Sequence, residues 1–143
     1  MFVRPVERSD RQAWLRMRNA LWPATDHAEA IDRYFSGEAR EPLAVLIAFD
    51  ADAIGFVELS IRPYAEGCET DRVAFVEGWY VDGDARGTGV GAALIHAAEE
   101  WARSQDCTEL ASDTEADNVS SAAAHRALGF EETAVVRCFR KSL

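Results

Sequence analysis

The stretch DARGTGVGAALI, residues 84–95, sets Gly87, Gly89 and Gly91 behind Arg86. The apolar run AFVEGWYV precedes it, and AALIHAAEEWA, with apolar residues at helical spacing, follows. A strand, a glycine-rich turn and a helix start place a row of backbone N–H groups at the positive end of a helix. That arrangement binds anions, phosphates above all. Glycine is needed where a side chain would hold the backbone away from the phosphate. A P-loop ends in Gly-Lys-Ser/Thr, and GVGAAL does not. A dinucleotide fingerprint needs G-x-G-x-x-G. Here residue 92 is alanine, and the loop begins too far along the chain for a doubly wound sheet.

Outward from this loop, the 143 residues are enough for one domain, 1–143, and 48% of them are apolar, enough for a core. No run of 18 apolar residues is present, so no membrane span is expected. The first residues, MFVRPVERSD, show no signal-peptide pattern and read as folded protein. Cys68, Cys107 and Cys138 have neither metal nor disulfide spacing, so no metal is expected and a reducing, cytoplasmic location is. A net charge of −10 argues against nucleic acid as a partner and favours a cationic one. The acidic residues cluster beside expected loops, as Asp26/Glu29/Asp32, Glu66/Glu69/Asp71 and Asp113/Glu115/Asp117.

The local patterns predict a strand over 2–6. A helix follows, capped by Ser9 with Gln12 closing a capping box and ending near Trp22-Pro23. A second helix runs from an Asp26 cap to Gly37. Strands are expected over 43–49, 54–61, 73–81 and 107–112, with a bulge hinted by Gly78. Helices are expected over 89–104 and 120–128, and a last strand within 133–141. This order suggests an α/β sheet with helices on both faces.

RGTGVG, residues 86–91, matches the R/Q-x-x-G-x-G/A motif of the GNAT acyltransferases. The segment DNVSSAAAHRALGF resembles that superfamily's later signature of an asparagine, a short helix and Leu-Gly-Phe. The resemblance covers the whole chain. It implies a single domain with a mixed, mostly antiparallel sheet, a gap where strand 4 splays from strand 5, and helices on both faces. It also implies acetyl-CoA as acetyl donor. Its pyrophosphate would lie on Arg86, Gly87, Thr88, Gly89, Val90 and Gly91, and its pantetheine arm along Trp79 and Val81, with Asn118 touching the cofactor.

Acetyl transfer to an amine requires loss of an ammonium proton, donors for the thioester oxygen and an outlet for the thiolate. Glu77, on the strand that leads to the loop, and Asp113, past the fifth strand, are the candidate carboxylates; a solvent-facing residue on an alternating strand is the alternative reading of Glu77. His125 stands where GNAT enzymes commonly carry a tyrosine that protonates the thiolate. It is either that acid or a surface helix residue. LWP, SIRPYAEG, VAFVEGWYV and ELASDTEADN further resemble the short aminoglycoside 6′-N-acetyltransferases. That likeness implies a polycationic aminosugar held by Trp22, Asp26, Glu77 and Asp113, with Tyr64 and Glu66 as weaker candidates. Core packing explains Trp22 nearly as well. The resemblance implies a homodimer, for which Val135, Val136 and Phe139 are candidate interface residues, although strand alternation explains them without a partner. Two other readings stay open: a GNAT enzyme for another small amine or a polyamine, and a non-catalytic acyl-CoA sensor.

Overall fold

The computed structural model describes every residue from Met1 to Leu143. Five strands form one sheet in the order β1 (Phe2–Pro5), β2 (Ala44–Phe49), β3 (Ala53–Arg62), β4 (Val73–Val81) and β5 (Leu110–Ser112). The first three pairings are antiparallel; β4 and β5 run parallel. Four α-helices cover the sheet: α1 (Arg11–Leu21), α2 (Ala28–Ser36), α3 (Val90–Ser104) and α4 (Val119–Ala127).

The two faces carry separate cores. On one, Val90, Leu94, Ile95 and Ala98 of α3 pack on Leu46, Ala48, Val57, Leu59 and Val76. On the other, Trp14 and Met17 of α1 and Ile31 of α2 pack on Val45, Ile47, Ala53 and Phe56. A sheet covered on both faces has no solvent side. The six residues of β3 from Gly55 to Ser60 are therefore all buried, and polar alternation is lost there.

Two irregularities shape the site. Glu58 pairs with Gly78, but its neighbour Leu59 pairs with Val76, so Glu77 is the extra residue of a bulge. Gly78 is required here, because a Cβ would sit 2.5 Å from the Trp22 ring. The second irregularity is the splay. β4 pairs with β5 only over Ala74, Phe75 and Val76, and its remaining length has no partner on that side.

Three local expectations are corrected. The first helix is not capped by Ser9 with Gln12. Residues Arg8–Asp10 form a 3-10 turn, and Asp10 accepts from the Glu7 N–H at 2.8 Å while gripping Arg4 at 2.7 and 3.0 Å. The fifth strand starts at Leu110 rather than 107, because Cys107 closes the end of α3 with its N–H on Ala102 O, after Asp106 turns at φ 60°. The strand expected within 133–141 does not form. A strand is held by pairing with an edge, and residues 131–143 pair with none: they make no backbone–backbone hydrogen bond and all are exposed.

Candidate active site

The glycine loop has the predicted geometry. Gly87 and Gly89 sit at φ +77° and +92°, which side chains disfavour, with open space where a Cβ would be. Gly89 caps α3. The N–H groups of residues 87–92 donate to no acceptor within the chain. Arg86 Nε donates to Val81 O at 3.0 Å and ties the loop to the end of β4; this uses the Val81 carbonyl as loop anchor. The Thr88 hydroxyl bonds back to Ala85 O. Beside the loop, Trp79 packs within 3.2 Å of where a Gly91 Cβ would stand, and its Nε1 is buried without a partner. A run of free N–H groups at a helix start, open space above it and a spare buried donor on β4 fit a CoA pyrophosphate and its arm.

His125 is half-buried rather than a freely exposed helix residue. It enters the splay between β4 and β5, edge-on to Trp79 and Phe130, each with centroids 5.2 Å away. Its Nδ1 lies 2.7 Å from Ser121 O, an acceptor, so Nδ1 donates; Nε2 meets Ser112 Oγ at 2.7 Å. Asn118 caps α4, its Oδ1 accepting from the Ser121 N–H at 3.1 Å and from the Ser120 hydroxyl at 3.2 Å. That carbonyl oxygen is occupied by the cap.

On the other side of β4 lies a pocket of about 680 Å³, lined by Trp22, Glu77 and nine further residues. This volume suits a small ligand. Trp22 is a wall rather than core. It closes over Gly78, and His27 Nε2 bonds its carbonyl at 2.8 Å. Glu77 is gripped by Arg62 at 2.9 and 2.7 Å, and that guanidinium also rests 3.6 Å above the Phe75 ring. The Glu77 carboxylate above all, with Asp113 and Glu41 beyond it, holds Arg62 more firmly protonated against the opposing effect of burial. Glu77 is thus neither solvent-facing nor free.

Sequence reasoning missed the inner end of this pocket. Glu58, 1% exposed, receives the Trp14 Nε1–H at 3.1 Å. Arg18 Nε lies 3.1 Å from the same oxygen, yet its N–H finds no aligned acceptor, so the contact is an ion pair rather than a hydrogen bond. Burial pushes the Glu58 carboxyl up; Arg18 and Trp14 pull it down, and Glu77 pushes it up again. A glutamate within VELSI offers only strand alternation, and its partner stands 40 positions upstream on a helix.

The remaining candidates lie outside the pocket lining. Asp26 Oδ1 accepts from Ala28 N at 3.1 Å and supports the start of α2, whose cap residue is His27. Asp113 is exposed, just past β5. Tyr64 is 63% exposed and pairs with Glu66, which raises the phenol's pKa. No group of His, Cys, Asp or Glu side chains is arranged to hold a metal ion, and no helix is long and apolar enough to cross a membrane.

Comparison with known proteins agrees with this geometry. The model of the acetyltransferase (GNAT) family matches residues 11–130. An aminoglycoside N(6′)-acetyltransferase type 1 of Klebsiella aerogenes is 56% identical over 146 residues, 99% of this chain and 96% of that protein. The crystal structure of the apo aminoglycoside 6′-N-acetyltransferase AAC(6′)-IG from Acinetobacter haemolyticus superposes with a TM-score of 0.89 at 40% identity, over 100% of this chain and 99% of that one. AAC(6′)-Iy in complex with the bisubstrate analogue CoA-S-monomethyl-acetylneamine superposes equally well, with a TM-score of 0.89 at 38% identity over 99% of this chain and 97% of that one. The chain belongs to the GNAT family of acetyltransferases.

Proposed function

We propose that the chain transfers the acetyl group of acetyl-CoA to the 6′-amine of aminoglycoside antibiotics, and so confers resistance to them. The observation that carries this reading is the contiguity of two sites. A loop of free N–H groups opens at one end of β4, and a pocket walled by Trp22 and Glu77 opens at its bulge. A relative at 56% identity over 99% of this chain bears the same activity in its name. Trp22 offers a flat face to an aminosugar ring. Glu41, Glu58 and Glu77 in the pocket, and Asp113 beside it, attract ammonium groups.

Acetyl-CoA supplies the acetyl thioester. The chain's own residues do the rest. The loop N–H groups of residues 87–92 hold the pyrophosphate, and the Trp79 Nε1–H and the edge of β4 left open by β5 hold the arm. Glu77, on the bulge between the two sites, takes the proton that the attacking ammonium must lose. Arg62 holds that carboxylate in place through two bonds and leaves its outer lone pairs for the amine or a bridging water. The Ser112 hydroxyl gives its proton to the departing thiolate and takes one from Nε2 of a His125 imidazolium, 2.7 Å away, which is left neutral with its remaining proton on Nδ1.

A thiol-release assay with acetyl-CoA and kanamycin, tobramycin or spermidine tests the reading, with the product's acetylated position read by NMR. Release with the aminoglycosides and a shifted 6′ methylene support it. Release with spermidine alone would favour a polyamine enzyme, and binding of acetyl-CoA without turnover would favour an acyl-CoA sensor.

The exposed C-terminal segment fits a homodimer in a reducing cytoplasm. Val135, Val136 and Phe139 are 71%, 59% and 91% exposed. Past Glu132 the segment carries Arg137, Arg140 and Lys141 and no acidic side chain, on a chain of net charge −10. A second copy supplies both the apolar cover and the opposite charge. Sedimentation should find a dimer, and Phe139→Asp should weaken it; a wild-type monomer at micromolar concentration contradicts it.

A further inference from the structure

The acceptor pocket contains a cation of its own. Arg18 lines it from α1, with a side chain 15% exposed; its guanidinium lies 5.3 Å from the Trp22 ring centroid and pairs with the buried Glu58. The charged groups around it are Glu58 of β3, Glu77 of β4 and Glu41 of the segment before β2, with Arg62 already bound to Glu77. Arg18 therefore stands where an acceptor ammonium would otherwise meet Glu58. An arginine is poorly suited to leave, since it stays protonated and rests on the aromatic wall.

We propose that Arg18 is a specificity-determining residue: paired with Glu58 at the inner end of the acceptor pocket, it limits how many ammonium groups an acceptor can place there. This rests on the reading of the pocket as an aminoglycoside site. A neutral pair at the inner end leaves the outer carboxylates to attract the acceptor, and disfavours an additional ammonium group deeper in. Removing Arg18 exposes the Glu58 charge to the acceptor and favours the more cationic ligand. Removing the Glu58 charge leaves Arg18 uncompensated and does the reverse. Removing both restores the balance.

The test is calorimetric, with CoA present, on kanamycin A and kanamycin B, which differ by one hydroxyl against one amine. The readout is the ratio of their dissociation constants, which needs no turnover. Arg18→Gln should raise the preference for kanamycin B by about tenfold, the effect of one unbalanced carboxylate facing the additional ammonium. Glu58→Gln should lower it by a similar factor. The double variant and Arg18→Lys should both return near the wild-type ratio. A merely structural role moves both single variants the same way. If they do shift together, or not at all, the proposal is overturned. It is also overturned if wild type binds neither kanamycin. If Arg18→Gln fails to fold, Glu58→Gln and the double variant decide, because the double leaves no uncompensated buried charge. Normal binding ratios without thiol release would instead contradict the catalytic reading and leave this one standing.

Discussion

The two ends of β4 are built from different materials. At the loop end, the proposed CoA recognition rests on main-chain N–H groups that the fold leaves without acceptors. At the bulge end it rests on side chains that already have partners: Glu77 with Arg62, and Glu58 with Arg18 and Trp14. The difference follows from the ligands. A pyrophosphate is a fixed anion, and an array of N–H dipoles meets it without burying a countercharge. A polycation with several amines needs carboxylates, and carboxylates held in a half-closed pocket need arginines to remain charged when the pocket is empty. One site is thus open by construction, and the other is internally compensated.

The largest effect on binding should come from breaking the loop end. Gly89→Asp places a side chain at φ +92° and a carboxylate against the pyrophosphate. Affinity for acetyl-CoA should fall by about a hundredfold or more, since one unit charge opposes another within a few ångström. Calorimetry on the folded variant checks this, and unchanged binding would remove the loop assignment. A smaller effect should separate the two ends by salt. The aminoglycoside KM should rise several-fold between about 0.05 and 0.5 M salt, because attraction between exposed charges is screened. The acetyl-CoA KM should move less or in the opposite direction. A salt-independent aminoglycoside KM would strip the −10 charge of its role.

The smallest effect is a control, a paired carboxylate away from both sites. Arg4 grips Asp10 through two bonds and, with the Glu7 N–H, holds its carboxyl below the usual range. Such a group stabilises the fold fully above its unfolded pKa of about 3.9, and the stabilisation is lost as pH falls through the lower folded value. Asp10→Asn should therefore cost about 1 kcal/mol near neutrality. That cost should shrink as the denaturation midpoint is measured from about pH 5 towards pH 3. Unlike changes in the pocket, it should leave the aminoglycoside KM unmoved.

The same contrast explains what the sequence made legible. Gly87 and Gly89 are needed for backbone reasons that belong to single positions, so the loop could be read directly. Gly78 likewise announced the bulge that displaces Glu77. Glu58 and Arg18 could not be read this way. Each is ordinary in its own segment, and only the packing of α1 on β3 makes them a pair. His125 was legible as a motif position, but its place between Trp79 and Ser112 depended on how far β5 splays from β4. The last strand was expected from apolar alternation in residues 133–141. A strand also needs an edge to pair with, and a single chain's sequence does not say whether that edge is its own.

The central claim is that the bulge residue Glu77, not the exposed Asp113, takes the proton of the attacking amine. The measurement is kcat and KM against pH, from about pH 5.5 to 9, for Glu77→Gln and Asp113→Asn. Glu77→Gln should lower kcat by about 10²–10⁴-fold and flatten the acid limb of the profile, as loss of a general base does. Asp113→Asn should chiefly raise the aminoglycoside KM. A steep loss of kcat in Asp113→Asn, with only affinity lost in Glu77→Gln, would contradict the account and exchange the two roles.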